Sequence, residues 1–343
     1  MNKPSKSQVA KTGKILRSDP NNQVAIDVLN TWRALHIYPL NTFQTTLKER
    51  LKKNKISYVV TAQRLKRTPT IIDKLAREPQ MRLDQMQDIG GLRAVLKDID
   101  SVKVLEKVYS KTSREISSKS KGVFRHTLKN KVDYIETPKE SGYRGIHLIY
   151  KTQYEPRNEY CDLLIELQIR SRLQHIWATA VETIGTYLGQ GFKFSKGEED
   201  WKNFFALVSS SFAIMEKSNV LKEHQSFNKD NLHDKIKKEY QNLKVDSVLQ
   251  GLVITTKNIT QDKSRGSFYC LIKLDTQQKT VAVNKFPKNK LEAATRALLE
   301  SEKESNIQSV LVSINDIKKL EKAYPNYFLD AVDFLNLLKE IVK

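Results

Sequence analysis

The ten residues PKESGYRGIH (138–147) put a Pro, two glycines, Lys139, Tyr143, Arg144 and His147 into one short loop, and apolar Leu148, Ile149 and Tyr150 follow at once. That density of charge, aromatic ring and imidazole is not the composition of an ordinary turn, which is dominated by Gly, Pro, Asn, Asp and Ser. A second polar set lies in YCDLLIELQIRSR (160–172), where Glu166, Gln168 and Arg170 alternate with Ile165, Leu167 and Ile169. A polar strand face ordinarily looks at solvent, but on a largely buried sheet Glu, Gln and Arg at this spacing would form the floor of a site. Cys161 and Cys270 lie far apart and outside any CxxC or Cys/His cluster, which argues against a disulfide framework and against structural zinc. Six scattered histidines offer no spacing for a transition metal.

The charge balance points to partners. Among 343 residues, Lys and Arg exceed Asp and Glu by 20, and residues 1–55 hold eleven Lys or Arg against three acidic residues. The run 101–131 holds nine against two. Excess positive charge says nothing of fold, but clustered cations suit polyanions, whose condensed counterions they release. The opening MNKPSKSQVAKTGK is polar without an apolar core, and no stretch approaches the ~20 apolar residues of a membrane span. No membrane partner is expected, and the cytoplasm is the expected location.

The elements that must hold these residues follow from periodicity. Val24, Ile26, Leu29, Trp32 and Leu35 predict one amphipathic helix, and Leu40, Phe43, Leu47 and Leu51 a second. From Tyr58 helix and strand alternate: 59–77 is helical in its second half, GLRAVL is a short buried strand, and 98–115 is a helix with Asp100 and Ser101 at the N-cap. Segment 160–172 is the clearest strand, with Cys161, Leu163, Ile165, Leu167 and Ile169 on one face and Asp162, Glu166, Gln168 and Arg170 on the other. Helices are expected from 171 and through FFALVSSSFAIMEK, and a charged helical connector over 228–246. Beyond it, GLVITTKNIT, GSFYCLIKLD, KTVAVNKF and QSVLVSI read as strands around one helix, a small α+β domain. The expected division is a basic helical preface at 1–55, a main domain at 56–227, the connector at 228–246 and the small domain at 247–343.

Four pieces share one order: RLKRTPTIIDKLAR (64–77), DIGGLRAVL (88–96), DYIETPKESGYRGIH (133–147) and IELQIRSR (165–172). Together they resemble the synthetase domain of the RelA/SpoT homologues over roughly 56–215. The resemblance implies an α+β fold, a mixed sheet flanked by helices and related to nucleotidyltransferases. It also implies a reaction in which the β,γ-pyrophosphate of ATP passes to a ribose 3′-hydroxyl and AMP leaves.

That chemistry needs cations and a metal in place before charge grows on the leaving oxygen. The resemblance assigns Arg64 and Lys66, on an Arg-x-Lys helix, with Lys74 and Arg77 further along, to ATP. Asp88 would hold Mg²⁺, and Glu166 would be general base and second metal carboxylate. Tyr143 offers a π-face for an acceptor base, with Lys131, Lys139, Arg144, His147, Gln168 and Arg170 on the acceptor side and Gly142 letting the backbone approach. Gly145 stands where long members have Ser. Only about 55 residues precede the domain, too few for the hydrolase of those members, so synthesis without degradation is expected.

Hydrolase-free synthetases of this kind either make alarmones from GDP, GTP or adenine nucleotides or modify the 3′-CCA end of tRNA. Broad basic surface favours tRNA as acceptor, with translation stopped as the result. A catalytically silent RNA-binding module is a third reading, disfavoured by carboxylates beside phosphate. The ending KKLEKAYPNYFLDAVDFLNLLKEIV resembles that of the CapRel fused toxin–antitoxins. It implies a zinc-less zinc-finger-like regulatory domain whose Tyr324 and Tyr327, around Pro325, cover the ATP site until a phage capsid protein binds.

Overall fold

In a computed structural model, residues 3–110, 126–154, 157–187, 196–243, 245, 265–275, 280–301, 303–304, 306–316 and 332–343 are described. They form two compact units, residues 1–132 with 146–169, and residues 133–145 with 170–343.

The first unit opens with α1 (Lys6–Ser18), α2 (Gln23–Ala34) and α3 (Ile37–Lys53). Each start obeys capping chemistry where it can: Ser5 accepts from the Gln8 amide and Asn22 from the Ala25 amide. Helix α2 buries Leu29 and Trp32, and α3 buries Leu40, Phe43, Leu47 and Leu51, as the periodicity predicts. Val24 is an exception at 76% exposure. Helix α1 was not foreseen, because its buried face is only Val9, Thr12, Gly13 and Leu16 and two of these are not apolar side chains.

Strands β1 (Tyr58–Leu65), β2 (Gly90–Leu96), β3 (Thr127–Asp133), β4 (Ile146–Lys151) and β5 (Leu164–Ser171) make a five-stranded mixed sheet in the order β1-β2-β5-β4-β3. Helices α4 (Thr68–Arg77) and α5 (Ile99–Ser110) follow β1 and β2. The cap of α5 is Asp98, whose carboxylate accepts from the Ser101 amide, so the expected caps Asp100 and Ser101 lie inside the helix. One apolar cluster joins Val9 and Leu16 of α1, Leu29 and Trp32 of α2, Ile71 and Leu75 of α4, and Leu83.

The second unit holds the 133–145 loop, then α6 (Arg172–Tyr187), α7 (Lys196–Met215) and α8 (Lys229–Asn242). Strands β6 (Arg265–Asp275), β7 (Thr280–Pro287) and β8 (Ile307–Asp316) form an antiparallel sheet in the order β7-β6-β8, with α9 (Leu291–Ser301) between β7 and β8 in sequence. Helix α10 (Val332–Ile341) turns Phe334 onto Phe205 and Phe212 of α7, with ring centroids at 6.0 and 6.2 Å, and pairs Asp333 with Arg172 of α6. The expected strand at 251–260 and the tyrosines 324 and 327 lie outside the described residues. Among the described residues no helix is long and apolar enough to cross a membrane.

Candidate active site

Asp88 stands in the turn before β2, and its two carboxylate oxygens are met by the Lys66 ammonium at 2.8 Å and the Lys74 ammonium at 3.3 Å. Burial works to raise its pKa, but the charges and hydrogen bonds of Lys66 and Lys74 overcome this and hold the carboxyl below its ordinary value. One carboxylate between two ammonium groups leaves this spot net cationic.

The route of the chain explains the meeting. Arg64 is the penultimate residue of β1, opposite Gly91 of β2, and Lys66 follows the strand end. The Arg-x-Lys segment is therefore strand and connection, and this corrects the expected helix. The helix begins at Thr68 with Pro69 in its first turn, a start signal legible in Thr-Pro-Thr. Lys74 lies in the last turn of α4, whereas Arg77 pairs with exposed Asp73 on the same helix at 2.9 Å and is not among the groups at Asp88.

Glu166, 7% exposed, lies on β5. Its Oε1 is 2.8 Å from His147 Nδ1, and its Oε2 accepts from Gln168 Nε2 at 2.8 Å. The register makes this arrangement, since His147 is opposite Gln168 and Ile149 opposite Glu166. The polar face of β5 thus does not look at open solvent. Asp162 is not part of that face: it precedes β5 in a turn with φ 66° and is held by Lys6 and Lys151. β2 and β5 are neighbours in the sheet, and Gly90 permits their approach, because a Cβ there would lie 2.8 Å from Ile165 Cδ1.

A second group belongs to the other unit. Arg170 donates to the Tyr143 hydroxyl through Nε at 3.2 Å and Nη2 at 2.9 Å, and its guanidinium carbon is 4.9 Å from the ring centroid. Lys139 Nζ lies 4.6 Å from the Tyr134 ring and 5.4 Å from the Tyr143 ring, and the two rings meet edge to face. An electron-rich ring with cations around it suits a planar, anionic ligand.

Two loop residues have other work. Arg144 is 3% exposed, donates to Ser209 Oγ at 3.0 Å and to the Asn219 carbonyl, and burial pulls its pKa down to about 10. It fastens the loop to α7 and the turn after it, and is not an acceptor ligand as expected. Gly142, at φ 88°, lets the backbone approach α6 and α7 rather than a ligand: a Cβ would meet Ser209 Cβ at 2.9 Å and Trp177 Cζ2 at 3.0 Å. Ser209 also donates to the Gly142 carbonyl at 2.6 Å. Gly142→Ala should lower stability by roughly 1–3 kcal/mol through overpacking and positive-φ strain, read by thermal or urea melts; an unchanged midpoint would reject the clamp. Lys131, finally, pairs with Glu106 of α5 at 2.7 Å and not with the Glu166 group.

Among the described residues no three His, Cys, Asp or Glu side chains converge on a point, so there is no resident metal cage. Asp88 and Glu166 carry hard carboxylate oxygens, the donor type Mg²⁺ takes when most of its shell is water and phosphate.

Residue Arg33 was missed. It is 3% exposed on α2 and donates to the Lys66 carbonyl at 2.9 Å, to Asn30 Oδ1 at 2.9 Å and to Thr68 Oγ1 at 2.5 Å. Its place on the buried stripe, next to Trp32 and four residues after Leu29, was the available signal.

Residues 63–190 match the family model described as a region found in RelA / SpoT proteins. The GTP pyrophosphokinase YjbM of Bacillus subtilis (strain 168) is 29% identical over 119 residues, 34% of this chain and 51% of that one. The probable chloroplastic GTP diphosphokinase CRSH of Arabidopsis thaliana is 28% identical over 167 residues, 48% of this chain and 27% of that one. The chain thus spans about half the length, or less, of the curated relatives it matches. Of solved structures, the small alarmone synthetase 1 of Bacillus subtilis bound to pppGpp covers 53% of this chain and 90% of its own at 21% identity and TM-score 0.43. The small alarmone synthetase 2 of the same organism covers 54% and 92% at 20% identity and TM-score 0.44.

Proposed function

We propose, from a chain whose residues 63–190 carry a RelA/SpoT diphosphotransferase region, that the protein transfers pyrophosphate from ATP to a ribose 3′-hydroxyl, with the 3′ end of tRNA as acceptor. The observation that carries the chemistry is a pair of carboxylates, Asp88 in the turn before β2 with two lysines and Glu166 on the neighbouring strand β5 with His147 and Gln168.

Each group has a role in this reading. The acceptor 3′-oxygen attacks the β-phosphorus, its proton passes to Glu166, and the bond from the β-phosphorus to the α,β-bridging oxygen breaks so that AMP leaves with that oxygen. His147 and Gln168 hold the Glu166 carboxylate in one plane, so its lone pairs are aimed before the proton arrives. Lys66 and Lys74 hold the triphosphate, exchanging Asp88 for phosphate oxygens, and Arg64, two residues before Lys66 on β1, adds a third cation to that role. Asp88 and Glu166 would hold Mg²⁺, which would supply charge neutralisation on the phosphates. Tyr143, with Lys139 and Arg170, offers a stacking face for a base.

Charge supports tRNA. Lys48, Lys52, Lys53 and Lys55 at the end of α3 are all exposed, giving a basic surface larger than one nucleotide needs. The names of the relatives favour a second reading, a guanine nucleotide acceptor. Incubation with labelled ATP separates them: label on deacylated tRNA is expected, and label on GDP or GTP alone would overturn the tRNA reading.

Regulation by residues 247–343, as a zinc-less zinc-finger-like domain opened by a phage capsid protein, belongs to the same proposal. The packing of α10 on α6 and α7 within one unit supports a restraining role for the C-terminal segment. A fragment ending near residue 245 should arrest growth by itself where the full chain does not. A folded but harmless fragment would remove intramolecular restraint from the account.

A further inference from the structure

The connection between β1 and α4 is residues 66 and 67, and it carries the first lysine of the Asp88 group and launches the helix bearing the second. It is held on one side by the Lys66 amide, which donates to the carbonyl of Ile89 at 2.8 Å, one residue after Asp88. On the other side stands Arg33 of α2. Its guanidinium reaches the Lys66 carbonyl at 2.9 Å and Thr68 Oγ1 at 2.5 Å, the residues flanking Arg67, while Asn30 Oδ1 accepts from both Arg33 and Thr68 at 2.9 Å.

We propose that Arg33 is a positioning residue for the triphosphate-binding lysines: by clasping residues 66–68 it fixes where Lys66 and Lys74 present their charges. The inference rests on the reading that these lysines bind ATP.

The geometry favours this over a packing role. A guanidinium is a costly way to fill an interior, because its desolvation must be offset by hydrogen bonds. Of its acceptors, Lys66 and Thr68 lie on the 66–68 segment, and Asn30 is bonded to that segment as well. Lysine side chains have four rotatable bonds, so a freely placed Lys66 backbone would spread its ammonium over several ångströms. With the carbonyl held by Arg33 and the amide by Ile89, only the side chain remains to adjust. The planar fork of Arg33 also bridges Lys66, two residues before α4, and Thr68, its first residue, setting the origin from which Lys74 arrives at Asp88 Oδ1.

The test is a double-mutant cycle on the full chain, read as binding of α,β-methylene-ATP with Mg²⁺ by calorimetry. Arg33→Met should weaken binding roughly ten-fold, since hydrogen bonds from a charged donor are lost. In a Lys66→Gln background the same substitution should change affinity by roughly three-fold or less, because the nearer of the two groups it positions is gone. Arg33→Lys should fall between, having no fork. A loss of equal size in both backgrounds, or no loss in either, overturns the proposal. Should Arg33→Met fail to fold, Thr68→Val, which removes one acceptor, enters the cycle with the same two expectations at a smaller size. Absence of nucleotide binding by the unmodified chain would strike the ATP reading itself, a result distinct from additivity in the cycle.

Discussion

Glu166→Gln should lower pyrophosphate transfer by about 10³-fold, the size expected for loss of a positioned general base, while binding of an ATP analogue should change by only a few fold. The substitution is nearly isosteric, and the site tolerates it structurally. Glu166 accepts one hydrogen bond from Gln168, whose own amide can turn to offer its oxygen, and faces one nitrogen of His147. The amide can therefore satisfy both neighbours, and what disappears is the ability to take a proton from the attacking hydroxyl. Single-turnover transfer of labelled pyrophosphate, beside a thermal melt, is the appropriate measurement. Retention of transfer within ten-fold of the unmodified chain would move the base elsewhere.

Asp88→Asn should produce the second large effect, on both activity and pH-dependent stability. The carboxylate is the counter-charge to Lys66 and Lys74, and the amide leaves two ammonium groups close together without it. Transfer should drop on the order of 100-fold, because the lysines separate and one Mg²⁺ donor is lost. The stability effect has a definite sign. Because the folded pKa of Asp88 lies below the unfolded value of ~3.9, its contribution is fully present above that range and is lost as pH falls through the folded value. The unmodified chain should therefore exceed Asp88→Asn in stability by on the order of 1–2 kcal/mol at neutral pH, with the gap closing below about pH 4. Urea unfolding at pH 7 and pH 3 measures this, and a gap that does not narrow at all between them would assign it to something other than the ion pairs.

How far the sequence reached is clearest from particular residues. Strand β5 was legible because period-2 alternation holds from Ile165 to Arg170, although Leu164 breaks it and the strand starts there and not at Tyr160; its register then brings His147 to Glu166. The helices α2 and α3 were legible from wide apolar stripes, whereas α1 hid behind Thr12 and Gly13, which pack well but carry no hydrophobic signal. Arg64 and Lys66 were recognised as cations but placed on the wrong element, since Pro69 marks a helix start and not its middle. Arg144 and Gly142 misled for one reason: a loop rich in polar and small residues reads as ligand-facing, and only the packing of α6 and α7 shows where those two point. Lys131 belonged to a charged run, and a run does not say which member meets an acidic side chain on α5.

The anchoring of Gly142 and Arg144 has a consequence for Tyr143, the residue between them. Both neighbours are fastened to α7 by Ser209, so the tyrosine's backbone is immobilised before any ligand arrives. Ordering a loop residue costs about 1–2 kcal/mol of backbone entropy, and here that penalty falls on folding rather than on association. Capture by this ring should therefore resemble a key meeting a finished lock, with a heat of binding undiluted by the freezing of a disordered segment.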